Sequence, residues 1–268
     1  MIKAAFFDID GTLVSFNTHK IPDSSLDALK RLREAGVRLF IASGRHRASM
    51  DKIEPHADLF DGYVMVNGGL CTFGDEIVHS NLMSKKDVKL WLEYIKKEPR
   101  STCFVLQDKI VINFIDEQMQ KVFEVLDFPI PPSANLDDFA DSDVYQMIIS
   151  FTEEENSKIL PIFPKCYAPR WSPLFSDIIP NGVNKMVGIE KMIQHLGITK
   201  DEVAAFGDGG NDLEMIESVG WGIAMGNACD ELKKVAKFTT EDIDNDGLAK
   251  AVDRLFEKGL IKNKSLNG

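Results

Sequence analysis

KAAFFDIDGTLVS, residues 3–15, runs from an apolar stretch straight into two aspartates, Asp8 and Asp10, with one isoleucine between them. Four consecutive apolar residues, from Ala4 to Phe7, suit a strand buried on both faces, as in the interior of a parallel sheet. Residues two apart on an extended chain point the same way, so Asp8 and Asp10 face one space just past the strand. Gly11 and Thr12 then permit a sharp turn. In open α/β sheets ligands sit beyond the carboxyl ends of the strands, and the pair falls there. Two close carboxylates need a cation. Oxygen donors without histidine favour a hard ion, Mg²⁺ above all. A carboxylate can also attack phosphorus while its neighbour works as general acid and base. The alternative is a plain acidic turn capping a following helix.

The same pattern recurs along the chain. VRLFIA (37–42), YVMV (63–66), VAAF (203–206) and WGIAM (221–225) are short apolar runs, each ending in a polar or glycine turn. Helix-period stretches separate them. In PDSSLDALKRLREAG, Leu26, Leu29 and Leu32 form the apolar stripe and Gly36 ends it. In NKMVGIEKMIQHLG, Ile189, Met192, Ile193 and Leu196 share a face and Gly197 stops the helix. Strand–helix–strand order predicts an α/β fold, with right-handed crossovers and helices on both faces of a parallel sheet. The middle departs from this pattern. SKKDVKLWLEYIKKE (84–98) predicts a helix with Val88, Trp91, Leu92 and Ile95 inward. CFVLQDKIVINFI (103–115) predicts two strands turning at Gln107–Lys109, followed by a second helix and further strands. This is an α+β module, placed at residues 83–183 and inserted between core segments 1–82 and 184–268.

The chain has 268 residues, 44% of them hydrophobic, and a formal charge of −11. That field repels a long phosphate backbone, so a general nucleic-acid binder is not expected. A small anionic substrate is compatible, because a local cation inverts the field within one pocket. Cys71, Cys103, Cys166 and Cys229 form no CxxC pair, so reduced thiols are expected rather than a disulfide framework or zinc site. The first residues match neither a signal nor a transit peptide, and no apolar run approaches the roughly 20 residues of a membrane span. The expectation is a cytoplasmic protein without membrane partners, a monomer by default.

Other strand ends carry matching chemistry. FIASGR places Ser43, Gly44 and Arg45 after one run, where a hydroxyl and backbone N–H groups can hold phosphate oxygens. FGDGGND places Asp208, Asn211 and Asp212 after another, with Asp208 able to complete a metal shell. Lys185 opens a predicted helix, where backbone N–H groups and dipole also favour an anion. Each has a plain alternative: an ordinary turn, an Asp-stabilised loop, a solvated surface lysine.

DIDGT, then SGR, then a distant lysine, then GDGGND together resemble the haloacid dehalogenase-like phosphatases. IPNGVNK and AFGDGGNDLEMIESVGWGIAMGNA are similar to the Cof-type branch with an α/β cap, subclass IIB, which includes sugar phosphatases. The resemblance spans nearly the whole chain. It implies a Rossmann-like doubly wound core, with Asp8 as nucleophile and Asp10 as acid and base. It implies Mg²⁺ held by Asp8, the Asp10 carbonyl and Asp208, with Asp212 orienting Lys185 or a metal-bound water. Ser43 and Lys185 would grip the phosphoryl group, with Asn211 nearby. Asn67 and Gly68 match a turn near the substrate. Asn184 stands where many relatives have Ser or Thr before the lysine, although Asn also caps helices well.

The inserted cap would exclude water and choose the leaving group. Arg170 and Trp171, in PRWSP, are its candidate substrate contacts, the alternative being a surface Arg stacked on a cap-core Trp. The expected activity is Mg²⁺-dependent hydrolysis of small phosphorylated metabolites, sugar phosphates foremost. A phosphotransferase or mutase using the same intermediate, and a non-enzymatic metabolite sensor, stay open on these residues.

Overall fold

The computed structural model describes residues 1–126, 129–169 and 173–262. The strands are β1 (Ala4–Phe7), β2 (Arg38–Ala42), β3 (Gly62–Met65), β4 (Leu70–Phe73), β5 (Glu76–Ser80), β6 (Thr102–Val105), β7 (Ile110–Ile112), β8 (Gln146–Ser150), β9 (Cys166–Tyr167), β10 (Phe175–Pro180), β11 (Val203–Gly207), β12 (Trp221–Ala224) and β13 (Phe238–Thr239). The helices are α1 (Asp23–Glu34), α2 (Lys85–Lys97), α3 (Glu117–Leu126), α4 (Asn156–Ile159), α5 (Lys185–Leu196), α6 (Leu213–Ser218), α7 (Asp230–Val235) and α8 (Gly247–Glu257). They form two compact units. One comprises Met1–Gly44, Met50–His79 and the stretch from Asn184 onward; the other comprises Arg45–Ser49 and Ser80–Val183.

In the first unit the sheet order is β13-β12-β11-β1-β2-β3-β4-β5. Pairing is parallel from β13 to β3, and β4 runs antiparallel to β3. The predicted doubly wound parallel core is therefore present. Alternate residues serve opposite faces. Phe6 stacks on Phe40 at 4.8 Å within a cluster that α5 and α6 cover with Met186, Ile189, Met192, Met215 and Ile216. Phe7 stacks on Phe206 at 4.8 Å. Helices α1 and α8 pack on each other, tied by Arg31 to Asp253 at 2.7 Å. The buried stripe of α1 is Ser25, Ala28, Leu29 and Leu32, with Leu26 only half-buried.

The second unit has an antiparallel sheet, β7-β6-β8-β10-β9. Helix α2 buries Val88, Trp91, Leu92 and Ile95 against Phe104, Met147 and Ile149 on one face. Helix α3 places Met119, Val122 and Phe123 on Cys103, Ile112 and Phe175. The short stretch Arg45–Ser49 joins this unit through His46. Its Nδ1 accepts from Ala48 N–H at 3.1 Å, which leaves Nε2 to donate to Gln107 O at 3.1 Å.

The run YVMV ends as a strand one residue early. Val66 has φ +53° and Asn67 φ +52°, left-handed backbone that a β-branched residue adopts only when its surroundings impose it. Among the described residues no helix is long and apolar enough to cross a membrane. All four cysteines are free thiols, and burial pushes Cys71 and Cys103 up to about 12.

Candidate active site

Strands β11, β1, β2 and β3 are adjacent and parallel, so the loops after them emerge at one edge of the sheet. Asp8 follows β1, Ser43 follows β2, Asn67 follows β3 and Asp208 follows β11. The DIDGT turn is tight. The Ile9 carbonyl accepts from the N–H groups of Leu13 and Val14 at 2.9 and 2.7 Å. Gly11, at φ +80°, could bear no side chain: a Cβ there would lie 2.2 Å from Asp208 Oδ2. Thr12 donates from Oγ1 to Asp208 Oδ1 at 2.8 Å, and Asn227 Nδ2 donates to Gly11 O at 2.8 Å. Neither Thr12 nor Asn227 stood out as a site residue in the sequence. Their partners lie 196 and 216 positions away along the chain.

Lys185 is 1% exposed, which rules out the solvated-lysine alternative. Its Nζ donates to Asp8 Oδ1 at 2.6 Å and Asp212 Oδ1 at 2.5 Å. Lysine is found this deep only when paired. Its helix is capped as anticipated, with Asn184 Oδ1 accepting from Val187 N–H at 2.8 Å. The other oxygen of Asp212 accepts from Asp208 N–H and Gly209 N–H, both at 3.0 Å. One aspartate thus braces both the ammonium and the GDGGND loop.

The left-handed turn after β3 joins two further parts. Asn67 N–H donates to Ser43 O at 3.1 Å, and a Cβ on Gly44 would meet Asn67 Oδ1 at 3.1 Å. Gly68, at φ +94°, lies so close to Asn184 that a Cβ would stand 2.2 Å from its carbonyl oxygen. Ser43, Gly44, Asn67 and Gly68 are therefore assembled beside the start of α5. Asn211 is exposed on the GDGGND loop. Asp10 is half-buried beyond β1. Arg45 belongs to the second unit, where Nη1 donates to Ser49 O at 2.9 Å. Arg170 and Trp171 lie outside the described residues.

Carboxylate oxygens of Asp8, Asp208 and Asp212 all lie within 4.8 Å of one another. Burial pushes the Asp8 carboxyl well above its ordinary value; Lys185 pulls it back, and the charges of Asp212, Asp208 and Asp10 raise it again. Burial lifts Asp208 to about 7, against the lowering effect of the Thr12 hydrogen bond. Burial alone would lower the Lys185 ammonium, but Asp212 and Asp8 outweigh it and hold the group above its ordinary value. One ammonium does not neutralise this acid set. A compact, oxygen-only cluster with charge to spare suits a hard divalent cation.

The haloacid dehalogenase-like hydrolase family model matches residues 5–252. "Putative phosphatase YkrA" of Bacillus subtilis (strain 168) is 32% identical over 262 residues, covering 97% of this chain and 99% of that protein. The solved structure of BT4131, a haloacid dehalogenase subclass IIB sugar phosphatase, is 37% identical with a TM-score of 0.85, covering 97% of this chain and 100% of that one. BT1666, a haloacid dehalogenase-superfamily phosphatase from Bacteroides thetaiotaomicron, is 32% identical with a TM-score of 0.85, covering 97% and 96%. The chain belongs to the haloacid dehalogenase-like hydrolases and is an enzyme.

Proposed function

We propose that this enzyme is a Mg²⁺-dependent phosphatase that hydrolyses small phosphomonoesters, sugar phosphates foremost, through an aspartyl-phosphate on Asp8. The observation that carries the proposal is the convergence on Asp8 of a buried lysine from the start of α5 and two further acids, Asp208 and Asp212, from the loop after β11.

Asp8 attacks the phosphorus, and the bond to the ester oxygen breaks as the acyl phosphate forms. Asp10, two residues on, gives its proton to the departing alkoxide, which leaves poorly without one. The deprotonated Asp10 then takes a proton from water, which attacks the phosphorus, releases inorganic phosphate and restores the Asp8 carboxylate. Lys185 and the Ser43 hydroxyl hold the phosphoryl oxygens, and the Asn67–Gly68 turn and Asn211 shape the rest of that cradle. Positioning and charge dominate such a transfer. Asp8, Asp208 and the Asp10 carbonyl would hold Mg²⁺, which supplies the positive charge that lets an anionic carboxylate approach an anionic phosphorus. Both oxygens of Asp212 already serve Lys185 and the loop N–H groups, which favours an orienting role for it. The named activity of BT4131, a sugar phosphatase, supports the substrate class.

Phosphate release from a panel of phosphomonoesters, with Mg²⁺ and with EDTA, tests the reading. Activity should require Mg²⁺ and vanish in Asp8→Asn; equal release by Asp8→Asn, or in EDTA, rejects it.

A further inference from the structure

Residues 15–20 form a small loop immediately after the DIDGT turn. Ser15 is fully buried, and its Oγ accepts from the N–H groups of Asn17 and Thr18 at 3.0 and 3.2 Å. Its own N–H donates to Lys20 O at 3.0 Å, and its carbonyl accepts from His19 N–H at 2.9 Å. His19 sits at φ +53°. At the tip, Asn17 Nδ2 donates to Asp244 Oδ2 at 2.5 Å. The loop is thus fastened at base and tip. Its second residue, Phe16, is nonetheless 62% exposed.

A lone exposed aromatic is ordinary on a protein surface. Position sets this one apart. A Cβ on Gly11 would lie 2.7 Å from Phe16 Cε2 as well as 2.2 Å from Asp208 Oδ2. The ring edge and the Asp208 carboxylate therefore flank the same glycine, and the ring borders the acid cluster. Both belong to the first compact unit.

We infer that Phe16 is a specificity residue: its ring is a wall against which the carbon skeleton of the leaving group rests while the phosphoryl group sits at Asp8. This rests on the phosphatase reading above. Lys185 and Ser43 serve the phosphoryl oxygens, and the surrounding acids favour a leaving group without further negative charge. Neither offers anything to C–H surface. An aromatic ring does, through apolar contact with a sugar ring or an aromatic alcohol. The loop's hydrogen bonds hold that ring in place beforehand, so little ordering cost attends binding. Phe16 thereby separates esters with a broad carbon skeleton from those with almost none.

The test compares wild type, Phe16→Ala and Phe16→Leu with Mg²⁺ present. The substrates are the best hexose phosphate of a panel, p-nitrophenyl phosphate and acetyl phosphate. Losing the ring's apolar contact should lower kcat/KM about tenfold for the first two and less than about twofold for acetyl phosphate, mainly through KM. Phe16→Leu should fall between, and melting temperatures should match, since the side chain is largely exposed. Equal losses on all three substrates, or no loss on any, overturn the inference. If wild type releases no phosphate from any of them, both readings fail together, and this is visible before any Phe16 variant is compared.

Discussion

Replacing Asp208 with asparagine should stabilise the metal-free protein at high pH and abolish its response to Mg²⁺. Burial lifts the Asp208 carboxyl from 3.8 to about 7. A folded-state value above the unfolded one means that the group's contribution to stability is fully present below about pH 4 and lost as pH rises through about 7. At about 1.4 kcal/mol per pH unit the loss would slightly exceed about 4 kcal/mol unscreened, and about 2–3 kcal/mol is expected after solvent screening of this half-buried group. Asparagine keeps an oxygen for the Thr12 hydroxyl, so the charge is the main change. Urea unfolding in EDTA should show Asp208→Asn matching wild type near pH 4 and exceeding it by a few kcal/mol at pH 8. Saturating Mg²⁺ should then stabilise wild type and leave the variant unmoved, reversing the order. A stability difference that is flat with pH, or the same with and without Mg²⁺, would refute the reasoning.

Three further outcomes follow from the same geometry. Lys185→Met leaves Asp8 and Asp212 buried without their cation; it should cost about 3–5 kcal/mol of stability, read by urea unfolding, and lower kcat about 10²–10³-fold. Gly11→Ala forces a Cβ to within 2.2 Å of Asp208 Oδ2 at φ +80°; calorimetry should show Mg²⁺ affinity falling about tenfold or more, while the far-ultraviolet spectrum stays native. Mg²⁺ binding to a site holding a carboxyl near 7 should release protons; affinity should drop as pH falls from 8 to 6, and calorimetric heats should depend on the buffer's ionisation enthalpy.

Much of the core was legible because its strands are buried on both faces and so read as unbroken apolar runs: AAFF, VRLFIA and VAAF became β1, β2 and β11. Strands β4 and β5 carry LCTF and EIVHS, short mixed segments at the sheet edge with no such run. Val66 looked like one more strand residue, since nothing in its side chain announces a left-handed backbone. The amphipathic stripe of α2 was fully readable, because helical periodicity is local. The chemistry of Lys185 was not. Whether a lysine at a helix start is solvated or buried depends on acids 177 and 27 positions away. The same limit hid Thr12 and Asn227, ordinary polar residues until the fold sets them against Asp208 and Gly11. Arg45 lies two residues after Ser43 in sequence, yet a histidine hydrogen bond to Gln107 draws its short segment into the other compact unit.

The central claim is that the Asp8 carboxylate itself takes up the phosphoryl group, and acid-quenched single turnover with a ³²P-labelled phosphomonoester tests it most directly. The account predicts label bound to the protein within the first turnover, released by hydroxylamine as an acyl phosphate is, located by mass spectrometry on Asp8 and absent from Asp8→Asn. Label on another residue, or full-rate phosphate release with no protein-bound label at any quench time, would contradict it.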